Sequence, residues 1–176
     1  DAVAVAAGLG ARVVWAPTVS ARAHRHASGN SELAVHQTLS FSEVPVLDDT
    51  GGLLKEWQEV LEVVVAHDMV LASGHLHIEE TLILFGAARR AGVTRLLVNH
   101  PLMSFVGWHL DHVNRLTDLE VMLELGILPD LLTGTAPSSI SLARSYPTTL
   151  LAFGSDLGHA DYPDHQSAVA DWLGRL

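Results

Sequence analysis

Met69-Val70-Leu71-Ala72-Ser73-Gly74-His75 is the stretch on which the reading of this chain turns. An uncharged, largely apolar run ends on a glycine and then a histidine. A strand buried on both faces of a parallel sheet reads as such a run. The C-terminal end of a parallel strand is also where α/β folds place their chemistry. Two further stretches repeat the pattern: Arg95-Leu96-Leu97-Val98-Asn99-His100 and Leu150-Leu151-Ala152-Phe153-Gly154-Ser155-Asp156. Two histidines and one aspartate at three strand ends form the residue set of a hydrolytic metal site.

Working outward, each such strand is flanked by helical patterns. Apolar Leu54, Trp57, Val60, Leu61 and Val64 fall at helical spacing in a helix over about 53–66. A helix over 78–91 carries Glu79 and Glu80 in its first turn, Arg89 and Arg90 in its last, and Gly92 just beyond. Towards the N-terminus, a helix at about 1–8 precedes a strand at 12–16. A long loop, rich in polar and small residues, runs from Pro17 to about Thr50. Towards the C-terminus, the pattern predicts a helix over 109–125 stopped by Gly126 and a short strand at 127–132 interrupted by Pro129. A helix over 137–145 opening on Pro137, a strand at 149–154 and a helix over 165–174 complete it. The alternation makes five βα units, an α/β fold with a parallel sheet, and a single domain over 1–176. It leaves open whether the sheet is flat or part of a closed barrel.

Composition narrows the function classes. The 176 residues suffice for a real core, and 48% of them are hydrophobic. A formal net charge of −10 argues against a nucleic-acid or anionic-membrane partner. There is no cysteine, so disulfides and thiolate-held metals are excluded. That fits a cytoplasmic protein. No apolar stretch reaches the roughly 18 residues of a membrane helix, and no signal-peptide pattern stands at the start. Eleven histidines are the compositional oddity. The chain opens directly on helical residues, which reads as the later part of a longer protein.

The candidate residues follow from position. Gly74 lets the backbone turn sharply so that His75 reaches over the sheet rim, and His77 either lines the pocket or begins the next helix. Pro101 stiffens the exit after His100. Asp156, between Gly154 and Gly158, suits a metal ligand that also accepts a proton from water, or an N-cap for the last helix. His159 is placed to contact substrate, and His24 and His26 in the long loop to close over it. Trp15 either walls the pocket or packs in the core. His109 and His112 share a helix face.

Val14-Trp15-Ala16-Pro17-Thr18, Ala72-Ser73-Gly74-His75-Leu76, Val98-Asn99-His100-Pro101 and Ser155-Asp156-Leu157-Gly158, in that order, resemble the amidohydrolase superfamily, and within it an amidohydrolase-like family of bacteria and archaea. The resemblance implies the C-terminal five strands of a (β/α)8 TIM-type barrel, with residues 12–16, 69–73, 95–99, 127–132 and 149–154 as strands four to eight. It also implies His75 and His100 as the histidines of strands five and six, and Asp156 as the strand-eight carboxylate, metal ligand and general base. One or two divalent metal ions, zinc first, would activate water against an amide, ester, lactone or related bond of a small molecule. The superfamily's strand-one His-x-His pair has no counterpart; His24-Arg25-His26 has the spacing but lies past a strand end. Exposed barrel edges would call for cover, for which a homo-oligomer is one arrangement. Two rival readings are a phosphoesterase on a related His-rich barrel and a non-catalytic binding or assembly domain.

Overall fold

The computed structural model describes residues 2–27, 42–133, 138–158 and 160–175. Eight helices and five strands are described among these residues. The helices are α1 (Ala2–Gly8), α2 (Arg22–Ala27), α3 (Lys55–Ala66), α4 (Ile78–Ala91), α5 (His112–Asp118), α6 (Ile127–Thr133), α7 (Ser139–Ser145) and α8 (His165–Leu173). The strands are β1 (Val13–Trp15), β2 (Val70–Ala72), β3 (Arg95–Val98), β4 (Met122–Leu125) and β5 (Leu151–Phe153). No helix among them is long and apolar enough to cross a membrane.

The fold is α/β, with all five strands parallel and lying in sequence order β1-β2-β3-β4-β5. That order contains no reversal. Strands added always on the same side through right-handed crossovers place their helices on one face. A doubly wound fold would reverse at a switch point; the sequential order is that of a (β/α)8 barrel. The described sheet is open, with β1 and β5 at its edges.

Period-two alternation shows which face carries the core. Leu71, Leu96, Val98, Leu123 and Leu125 are buried and join Trp57, Leu61 and Val64 of α3 and Leu84, Phe85 and Ala88 of α4 in one cluster. Ala72, Leu97 and Met122 share the other face at one level, through the pairs Ala72↔Leu97 and Leu97↔Met122. Glu124 and Ala152 pair one level nearer the C-terminal rim.

Three expectations need correction. Residues 122–125 form a strand, not the end of a helix, and 127–132 lie in helix α6, not in a strand. Helix α5 stops early because Glu120 turns into the left-handed region at φ 49°, and the Arg89 guanidinium donates to the carbonyls of Leu119 and Glu120. Pro129 then sits in the first turn of α6, where a missing N–H costs nothing; inside a central strand it would remove a ladder bond. The long loop also contains structure, since His24 and His26 lie on helix α2.

Candidate functional site

The three strand exits that the sequence singles out do meet the same end of the sheet. At the first, Gly74 has φ +55°, and a Cβ there would strike the carbonyl oxygens of Ala16 and Pro17, the latter at 2.6 Å. Only glycine lets β2 turn this close to the end of β1. The His75 amide then donates to the Pro17 carbonyl at 2.9 Å. At the second, His100 is buried and held at φ 46°; at the third, half-exposed Asp156 is held at φ 53°. Non-glycine residues in this region carry strain, and such strain gathers at functional sites.

Helix α2 brings a fourth member. His24 is 1% exposed, and its ring stacks on His75 with centroids 4.7 Å apart and planes 10° apart. Their Nδ1 atoms are 2.7 Å apart, a distance that requires one ring to donate and the other to accept. Phe105, on a 3₁₀ turn (Ser104–Val106) against which α2 packs, lies 5.3 Å from His24 and 5.0 Å from His75, ring centre to ring centre. His75 and His100 meet edge to face at 5.6 Å. His100 Nδ1 faces Asp156 Oδ2 at 3.7 Å, longer than a hydrogen bond. Burial, with Asp156 and Asp161 adding to it, raises the Tyr162 hydroxyl above its ordinary range.

The structure thus brings together His24, His75, His100 and Asp156. Helix α8 takes Asp164 as its N-cap, whose carboxylate accepts from the Ser167 amide at 3.0 Å, so Asp156 is not the cap. His77 is the N-cap of α4: Nδ1 accepts from the Glu79 amide, and Glu80 completes a capping box. The His77 ring also lies against Gly107, where a Cβ would come within 2.7 Å of its Cδ2. His26 is exposed on α2, and Trp15 is 49% exposed on the edge strand β1. His159 lies outside the described residues. His112 is buried apart from the site; its Nε2 and Arg115 both meet Glu79, and Arg115 first, then His112, hold the Glu79 carboxyl below its usual range.

Sequence reasoning gave no role to Phe105, Asn99 or Glu124. Asn99 is fully buried beside His100, and its Nδ2 donates to Glu124 Oε2 at 2.6 Å. Inward alternation along residues 122–125 is the signal that would have exposed Glu124, and a helical reading of that segment hid it.

The donor chemistry suits zinc, with imidazole nitrogens and a carboxylate on three strand exits. The present side-chain positions are a separate matter. Among the described residues, no three His, Asp or Glu side chains converge on a point able to hold an ion. The His24–His75 nitrogens, at 2.7 Å, are also closer than the roughly 3.3 Å between two nitrogens on a tetrahedral zinc. These two rings form a hydrogen-bonded pair.

Fold and cluster together define a parallel α/β protein with a histidine-rich site at the C-terminal ends of its strands. The chain belongs to DUF6282, a family of unknown function whose model matches residues 1–124. That match takes in His24, His75, His100 and Glu124 and stops short of Asp156. No curated protein and no solved structure matches the chain.

Proposed function

We propose that the chain is a hydrolase that activates water on a divalent cation, zinc first, to cleave an amide, ester, lactone or related bond of a small molecule. The observation that carries this reading is the gathering of His75, His100 and Asp156 at one rim of a sequentially ordered parallel sheet. Both His100 and Asp156 stand in strained backbone there. A cation held by these three would make water acidic enough to lose a proton near neutral pH. Asp156, half-exposed at the rim, would accept that proton as general base. Buried His100, beside that carboxylate, would hold the cation together with His75. Phe105 closes one side of the site and limits water. A cytoplasmic location accords with the absence of cysteine.

One observation favours a second reading. His24 occupies the Nδ1 of His75, and among the described residues no three donors converge in the present positions. On that basis the site belongs to a metal-free binding domain.

Metal analysis of the full-length protein separates the two. The hydrolase reading expects bound or titratable zinc, and loss of both metal and turnover in His75→Ala, His100→Ala and Asp156→Ala. A protein that takes up no transition metal, with His100→Ala changing neither metal content nor turnover, overturns it. Screening phosphoesters against amides and lactones then assigns the bond; turnover of phosphoesters alone makes the protein a phosphoesterase.

A further inference from the structure

One buried side chain touches the backbone or side chains of both neighbouring strands at the site. Asn99 Oδ1 accepts from the Gly74 amide at 3.1 Å, one residue before His75. Asn99 Nδ2 donates to Glu124 Oε2 at 2.6 Å. Its own amide donates to Ser73 Oγ at 3.0 Å, and Ser73 is itself buried. These partners determine the orientation of the Asn99 amide: a backbone donor needs the oxygen, and a carboxylate needs the nitrogen. The Glu124 carboxylate continues the line to the next strand exit. It lies over Gly154, where a Cβ would overlap Oε1 and come within 3.1 Å of Cδ. Gly154 is two residues before Asp156.

We infer that Glu124, acting through Asn99, is the positioning residue of the site. A carboxylate on β4 holds the exit of β3, Asn99 holds the exit of β2, and the space left by Gly154 lets that carboxylate lie against the exit of β5. The strand exits that carry His75, His100 and Asp156 therefore share one anchor. A charge-assisted bond of this kind is stronger than a neutral one, and β4 supplies it from a position that needs no place in the reaction. A partly buried carboxylate on the inner face of a strand is otherwise a cost to the fold. The inference concerns the site described above and rests on its location, not on the identity of any bound group.

The test uses full-length protein with ¹⁵N-labelled histidine, assigned by single His substitutions, and reads the imidazole signals of His75 and His100 without added metal. Glu124→Ala is expected to shift both rings. Glu124→Gln, whose amide oxygen still accepts from Asn99, is expected to restore them. Gly154→Ala supplies an independent arm: its backbone lies outside the left-handed region, so the new methyl displaces only the far end of Glu124. It should shift the same two rings, and it decides the matter if Glu124→Ala fails to fold. Rings unmoved in Gly154→Ala, or moved equally by Glu124→Gln and Glu124→Ala, overturn the inference. A zinc titration of the same variants separates this outcome from the fate of the hydrolase reading. If the parent binds zinc, Glu124→Ala weakens it about 10–100-fold. If the parent binds none, that reading fails while the ring signals still judge this one.

Discussion

His24 and His75 come from segments 51 residues apart and lie ring on ring, with one proton required between Nδ1 atoms 2.7 Å apart. This contact attaches helix α2 to the exit of β2. His24→Ala removes the hydrogen bond, the stacking and a buried ring at once. It is expected to destabilise the fold by about 1–3 kcal/mol, read as a lower denaturation midpoint. If zinc binds through His75 Nδ1, the pair has to separate, and zinc addition should abolish the shared-proton signal in the NMR spectrum. Persistence of that signal in the zinc-loaded protein would exclude this nitrogen as a ligand.

Gly74 is the position least able to change. Any Cβ there meets the carbonyls of Ala16 and Pro17, which are backbone and have nowhere to go, and φ +55° is strained for an L side chain. Gly74→Ala should cost more than the roughly 1–3 kcal/mol of a strained φ alone. Urea denaturation measures it, and a loss under 1 kcal/mol would contradict the close approach of β1 and β2.

Asp156 gives the opposite expectation. Its side chain is 43% exposed, and its backbone is left-handed at φ 53°. Left-handed backbone costs an L residue roughly 1–2 kcal/mol, and glycine gives back part of that relief through its larger unfolded entropy. Asp156→Gly should therefore be as stable as the parent or up to about 1 kcal/mol more so; the proposed hydrolase reading adds that it loses metal uptake and turnover. Chemical denaturation alongside a zinc titration checks both halves. A variant clearly less stable than the parent would show that the aspartate serves the fold.

Tyr146 is buried, and its hydroxyl donates to the Val121 carbonyl at 2.6 Å. Burial pushes its pKa up to about 12. The folded value lies above the unfolded value of about 10, so the neutral phenol's contribution is whole below pH 10. It is lost as pH rises through 10 towards 12. Tyr146→Phe should cost about 1 kcal/mol near neutral pH and should lack this alkaline loss, as stability curves from pH 8 to 12 would show.

Much of the fold was legible because local chemistry and tertiary demand agree. Apolar runs at 69–73, 95–99 and 149–154 read as parallel strands and contain β2, β3 and the half-buried edge strand β5, and the charges and glycine around 78–92 mark both ends of α4. Residues 121–132 were misread because they hold a local conflict. Met122, Leu123, Glu124 and Leu125 are good helix formers, and Pro129 looks like a strand-breaker. Pairing of β4 with both β3 and β5 overrides the first preference, and the first turn of α6 accommodates the second.

At the site, three glycine- or proline-marked exits announced His75, His100 and Asp156, since sharp turns leave a trace in sequence. Stacking of His24 on His75 left none, because it depends on how a helix in a long connection docks. Nor did the Glu124–Asn99 bond, which joins residues 25 apart across two strands. The sequence by itself determined which residues stand at the strand ends, because backbone geometry there demands particular residue types. Which of those residues touch, and which buried carboxylate aligns them, only the tertiary structure decided, because side-chain contacts follow from strand order and register.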